Sequence, residues 1–472
     1  MVDLAIKKGH VVTPGGILFG GVAVDKERIV YVGSDDLLPA AHRVIDAEEG
    51  FVIPGLIDPH VHMGGAPGVP FEEELYRQFK SETEGALRGV TTFGHMIMAP
   101  HHESNFRYLD ALIKAGSGLS YVDFFSHGVV TSELHLAEQP ELWRRGVTSF
   151  KHFWNAYKGA DGMGILSHTD ESIAYRSLLF TAEKGYPGVA MFHCEETDPI
   201  YLLSEKLRKE GRNDLEAWAE SRPAWAEAKR IYDAIEMAKN AGNPPCYIVH
   251  ISCAEGVDLV AEARRQGYPV WGETNPAFLT HTCKMDDLGC WGKVIAPLRH
   301  PRDQERLWRG MRDGGVTNIG TDLCGYTRKV KEEGGGGKGK FNNLWDAVPG
   351  LCGGMEHLLP VMMTFGVNAG RIGIEDMVRI CATNTAKVFG LYPKKGVLAP
   401  GSDADIVIVD PTKEVTVDEK FYHCCAEFSV YQGWHFKGMA RTTIIRGEVM
   451  MENYETVGKP GYGKFLARGR ST

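Results

Sequence analysis

A chain of 472 residues is longer than one small core accommodates, so one large domain with a smaller one attached is expected. The net charge of -9 argues against nucleic acid as the main partner, because phosphate binding needs a basic surface, and against a polybasic membrane contact. The composition, 43% hydrophobic and 24% charged, is that of an ordinary soluble protein, and no apolar run approaches the roughly 20 residues that span a bilayer.

The opening at Met1 reads as a strand, without a charged-then-apolar leader. Residues 1–54 alternate short apolar runs with Gly, Pro and Asp, as in LAIKKGHVVTP and GVAVDKERIVYVG, and read as the first part of a small β-sandwich. From 55 to 390 the pattern becomes strand then helix. VTTFGHMIM, SYVDFFSHGVV, GVTSFKHFW, GVAMFHCE, CYIVHIS, YPVWGET and VTNIGTD are compact apolar runs separated by amphipathic stretches. Repeated βα units argue a parallel sheet with helices outside, and the length suits an α/β fold of the (β/α)8 TIM-barrel kind. After Gly396 strand language returns in ADIVIVD and TTIIRGEVMMEN, so 391–472 is expected to complete the β-sandwich and add a C-terminal tail. The run Gly334 to Gly337 lacks Walker spacing and a following Ser or Thr, so it reads as a flexible active-site loop rather than a phosphate cradle. Ten cysteines without a repeating spacing fit a reduced, cytoplasmic protein.

The chemistry collects at strand ends. His60 and His62 in GLIDPHVHMGG are two apart on a strand, point the same way and can grip one divalent ion. His193, His250 and Asp322 each end a later strand, on the face where barrels of this kind build their active sites. Any one of these histidines alone reads as a satisfied core residue; together with the aspartate they read as metal ligands. Lys151 follows an apolar strand and should point into the barrel mouth. Burial lowers a lysine's pKa, and the neutral amine can combine with carbon dioxide to give a carbamate whose two oxygens bridge two cations. A surface lysine in a salt bridge is the plainer alternative.

With these residues assembled, the sequence resembles the cyclic amidohydrolases, most closely the hydantoinase/dihydropyrimidinase branch. The resemblance runs through DPHVHM, GVTSFK, FHCE, SRP, VHISC, APLR, GTD and GSDADIVIVDP to the tail GYGKFLARG. It implies His60 and His62 on the more buried of two divalent ions, His193 and His250 on the other, and carboxylated Lys151 bridging both. Asp322 would bind the first ion and shuttle a proton, and Tyr157 would donate a hydrogen bond to the substrate carbonyl. The implied reaction is attack by a metal-bridged hydroxide on a small cyclic amide. Zinc is the expected metal, with Mn2+, Fe2+ or Co2+ able to occupy similar donors. A homotetramer or homodimer is implied, and no nucleic-acid or membrane partner. Met63, Phe153, Trp154 and Tyr157 follow metal-bearing strands and are expected to line the mouth, favouring an apolar or aromatic ring substituent.

The sequence departs from that branch in KHFWNAY, which carries an apparent insertion before Tyr157, and in DLCGY, with Leu323 and Gly325 where His and Pro are usual. Ile295-Ala296 stands before PLR where relatives place a serine, and VPGLCGGME lacks the usual asparagine. All four changes fall in substrate recognition, which keeps open a hydrolase of another cyclic imide or lactam, or of an acyclic amide. A non-catalytic relative should lack several of the six metal-site residues, and this chain keeps all six. A dihydroorotase or allantoinase should carry an arginine soon after the HxH, and none occurs before Arg77.

Overall fold

Apolar runs bounded by turn residues become strands buried on both faces when helices cover both sides of a sheet. A computed structural model describes residues 1–65, 69–154, 168–333, 339–351, 354–419 and 421–469. In it, the middle of the chain forms parallel strands β6 (Leu56–His62), β7 (Val90–Met96), β8 (Asp123–Val129), β9 (Ser149–Trp154), β10 (Val189–Cys194), β11 (Cys246–Ile248) and β12 (Val270–Thr274). They follow one another in spatial order. Every residue of β7, β8, β9 and β10 is buried.

The last strand comes in two pieces. β13 (Asn318–Ile319) pairs with β12, and β14 (Leu323–Cys324) pairs with β6, so this short run bonds to both ends of the series and closes the barrel. Between the pieces Asp322 has φ 52°, outside the β region, which interrupts the strand at a candidate ligand.

Helices follow the strands: α1 (Phe71–Ala86), α2 (Asn105–Leu119), α3 (Glu133–Arg144) and α4 (Glu171–Lys184). Three follow β10, namely α5 (Thr197–Lys209), α6 (Leu215–Ser221) and α7 (Ala224–Asn240); then come α8 (Ala254–Arg265), α9 (Pro301–Asp313) and the short α10 (Arg328–Glu333). Side chains at the helix starts satisfy orphan amides: Ser104, Ser132 and Asp170 cap α2, α3 and α4.

The two ends of the chain form a second sheet. β1 (Val2–Thr13), β2 (Gly16–Asp25), β3 (Arg28–Gly33), β4 (Ala41–Asp46) and β5 (Phe51–Pro54) come from the start. β15 (Ile406–Thr416), β16 (His435–Ile445), β17 (Glu448–Glu452) and β18 (Glu455–Thr456) come from the end. The halves join where β5 runs antiparallel to β15, with Val52 opposite Ile408. Leu4, Ile6, Val22, Val24, Ile406 and Ile444 form a core separate from that of the barrel. Between the units lies Lys395, 1% exposed, with its Nζ 2.8 Å from Asp123, 3.1 Å from Asp403 and 2.5 Å from Asp405. Asp123 opens β8, so this buried ion cluster ties the second sheet to the barrel. No helix among the described residues is long and apolar enough to cross a membrane, and the nine described cysteines are free thiols.

Candidate active site

Alternation along β6 sends Asp58, His60 and His62 to one side. The Nε2 atoms of His60 and His62 lie 3.1 Å apart, and Asp322 Oδ1 is 3.3 Å from the first and 3.2 Å from the second. Ligands at about 2.0–2.1 Å from a tetrahedral ion are separated by about 3.3 Å, so the three atoms already surround a point suited to one cation. A second pair sits beside the first, with His193 Nδ1 2.9 Å from His250 Nε2. His60 and His250 stack with ring centroids 5.4 Å apart.

One histidine of each pair commits its other nitrogen to a carboxylate. His60 Nδ1 is 2.6 Å from Glu273 Oε1, and His193 Nε2 is 2.7 Å from Glu195 Oε2. Each contact fixes the ring so that the remaining nitrogen faces the site, as outer carboxylates do for metal-binding histidines. Glu273 also accepts from the Tyr247 hydroxyl at 2.9 Å and from the His250 amide at 3.1 Å. Asp58 accepts from the amides of His60 and Thr321, which joins β6 to the segment bearing Asp322. Gly320 leaves room for this arrangement, because a Cβ there would meet Glu273 Cδ at 2.6 Å and His60 Cβ at 2.8 Å.

Burial sets the protonation states. It pushes the imidazoles of His60 and His250 well below the usual histidine value, leaving the neutral form that metals bind. The surrounding histidines hold the Asp322 carboxylate far below its ordinary range despite burial. Burial brings the Lys151 amine down to about 8. Its Nζ is enclosed and has no hydrogen-bond partner among the described residues. A buried amine in that state is suited to carbamate formation, and the full donor set fits two divalent ions. His250, with φ 38°, and Asp322 both hold left-handed backbone conformations, the kind of strain that collects at functional sites.

The six residues open on one cavity of about 670 Å³ including its mouth. Met63 and Phe153 line it. Trp154 does not. Lys151 and Phe153 take the inward side of β9, and alternation turns Trp154 outward, where it is fully buried against Phe192 and beneath the guanidinium of Arg230 on α7. Its expected place at the mouth is corrected to the layer between barrel and helices. Tyr157 and the glycine run Gly334 to Gly337 lie outside the described residues. Sequence reasoning missed Glu195 and Glu273, although both stand at strand ends beside the ligands, in FHCE and YPVWGET. It also missed Met98, Val294, Tyr326 and Pro349, which complete the largely apolar wall.

Closed parallel barrel, paired histidines, enclosed lysine and aspartate at the strand ends together define a metal-dependent hydrolase. Residues 224–450 match the amidohydrolase family. The chain is 32% identical to a D-hydantoinase of Geobacillus stearothermophilus over 98% of its own length and 96% of that protein. It superposes on a D-hydantoinase crystal structure with a TM-score of 0.89 at 30% identity, and on the dihydropyrimidinase from Brevibacillus agri NCHU1002 with 0.88 at 28%, each covering 99% of both chains. The chain belongs to the amidohydrolase superfamily, in its cyclic amidohydrolase family of hydantoinase/dihydropyrimidinase type.

Proposed function

We propose that this enzyme hydrolyses the ring amide of a hydantoin or dihydropyrimidine. The observation that carries the reading is the convergence of both histidine pairs, Lys151 and Asp322 on one cavity with an apolar wall. Two divalent ions, when bound, supply water of lowered pKa and polarise the amide carbonyl. Zinc suits this donor set of imidazole and carboxylate-type oxygens. His60, His62 and Asp322 would hold one ion and His193 with His250 the other.

Lys151 would contribute as a carbamate, formed when its neutral amine nitrogen bonds to the carbon of carbon dioxide and loses one proton to solvent, and that anionic group would add oxygen donors to the site. Asp322, ionised and in contact with both His60 and His62, takes a proton from the attacking water and returns it to the ring nitrogen as the C–N bond breaks. Tyr157 donates a hydrogen bond to the carbonyl oxygen as it gains negative charge. Opening the ring leaves both new end groups on one product. Val294 and Ile295 on the cavity wall favour a second reading, a lactam or cyclic imide with an apolar edge.

Chelation separates this reading from a metal-free reaction. Stripped enzyme should open no hydantoin and should regain turnover with Zn2+. Full activity in metal-free enzyme would overturn the proposal.

A further inference from the structure

Two lysines that take no part in the reaction are buried behind the cavity wall. Lys331, on α10, is 0% exposed, and its Nζ donates to the carbonyls of Lys293 at 2.9 Å, Val348 at 2.8 Å and Gly350 at 2.6 Å. Lys293 is 3% exposed, and its Nζ donates to the carbonyls of Trp345 at 3.0 Å and Ala347 at 2.5 Å. Burial, with Arg222 and Lys331 nearby, holds the Lys293 amine well below the usual lysine value, and a neutral amine has two hydrogens for its two acceptors.

These carbonyls belong to the backbone that builds one side of the cavity. Val294 and Ile295 directly follow Lys293, and Pro349 lies between the acceptors Val348 and Gly350; Val294, Ile295, Pro349 and Gly350 all line the cavity. The Gly350 amide also donates to the Lys293 carbonyl at 3.0 Å, and Trp218 Nε1 donates to the Val294 carbonyl at 2.7 Å. Three carbonyl oxygens turned to one point repel one another unless a cation or donors stand between them. The Lys331 Nζ occupies that point and reinforces the Gly350–Lys293 backbone bond in holding the two wall segments together.

We propose that Lys331 is a positioning residue for ring selection: by gathering the carbonyls of Lys293, Val348 and Gly350 it holds Val294–Ile295 against Pro349–Gly350 and sets the clearance left for a ring substituent. The inference rests on the cavity being the substrate site. It makes Lys331 act on discrimination between rings and leaves the metal ligands alone.

The test is Lys331→Met, which keeps the length of the side chain and removes its donors. Metal content should match the parent. Amide hydrogen exchange should accelerate by on the order of tenfold or more in 293–295 and 348–351 and stay unchanged in β6 and β9. The ratio of kcat/KM for a bulky 5-substituted hydantoin to that for hydantoin itself should shift by on the order of tenfold, carried by KM rather than kcat. Unchanged exchange in the two wall segments would overturn the staple. Loosened exchange with an unchanged ratio would overturn its role in selection. Should the Met variant fail to fold, Lys331→Gln, which retains amide donors on a shorter stem, carries the same readouts and should show a smaller shift in both. Exchange needs no turnover, so an enzyme that opened no ring at all would refute the proposed activity while the staple was still tested.

Discussion

Lys151 has no room to be an ordinary lysine. It is enclosed among imidazoles, its amine is brought down to about 8, and no described group accepts its hydrogens. Lys151→Ala should drop metal content from about two ions per chain to well below one and abolish ring opening. A short carboxylic acid should restore part of both by standing in for the carbamate, and Lys151→Arg should fail because guanidinium stays charged. Full metal and activity in the Ala variant would show the lysine to be structural. Asp322 is separable from the histidines. Asp322→Asn keeps an oxygen toward His60 and His62 but cannot take up a proton, so much of the metal should remain while kcat falls on the order of a hundredfold or more. A metal-loaded Asn variant with parental kcat would remove Asp322 from the proton path.

At this scale the sequence was legible wherever a residue type is rare for its setting. Histidines and an aspartate at strand ends, and a lysine within an apolar run, stand out because such groups are costly to bury. Glu273 was illegible because a glutamate ending YPVWGET has many plain explanations until its 2.6 Å contact with His60 is seen. Trp154 was misplaced because nearness in sequence to Lys151 was weighed above strand alternation, which sends every second side chain of β9 away from the mouth.

Among the elements, the segment 421–436 packs an aromatic cage on two histidines. His357 stacks on Tyr431 at 5.3 Å and touches Phe421 and Phe436, and His281 stacks on Trp434 at 4.5 Å. Burial lowers both to about 4. Their folded values lie below the unfolded value of about 6.5, so between those pH values the unfolded chain binds more protons. The stability each contributes is complete above about pH 6.5 and is lost as pH falls toward 4, up to about 3 kcal/mol apiece. Neither ring nitrogen of His357 has a partner among the described residues. His357→Phe should therefore be at least as stable as the parent at pH 7 and lose less stability between pH 7 and pH 5, read from urea midpoints at both values. An unchanged pH slope would show that His357 is not the group being titrated.

The periodicity of β7 to β10 was plain in the sequence because every position there is buried. The closing strand was read as one run, VTNIGTD, whereas it divides at Asp322, since nothing in residue type announces a non-glycine φ of 52°. The amphipathic stretch DLEAWAESRPAWAEAKRIYDAIEMAKNAG forms two helices. Pro223 separates α6 from α7, having no amide hydrogen to continue the first.

For the whole molecule, the architecture follows from where the chain ends meet. Val52 pairs with Ile408 across more than three hundred residues, and Lys395, Asp123, Asp403 and Asp405 bury a cation among three carboxylates at the junction with the barrel. Local patterns revealed strands at both ends of the sequence, and from them one shared β-domain was expected; which strands pair across the gap was not legible, because a non-local pairing leaves no local signal. The barrel gathers the six candidate ligand side chains from β6, β9, β10, the end of β11 and the split closing strand, and no one of these elements could bring them together alone.

The measurement that tests the account most directly is the initial rate of C–N cleavage by the zinc-loaded enzyme on a matched set: hydantoin, dihydrouracil, a cyclic imide, a lactam and an open-chain amide of similar size. The account predicts opening of the hydantoin or dihydrouracil ring, with the open-chain amide slower by on the order of a hundredfold, since only the ring presents its amide in the geometry the site enforces. Preference for the open-chain amide, or no cleavage of any ring by fully metallated enzyme, would contradict it.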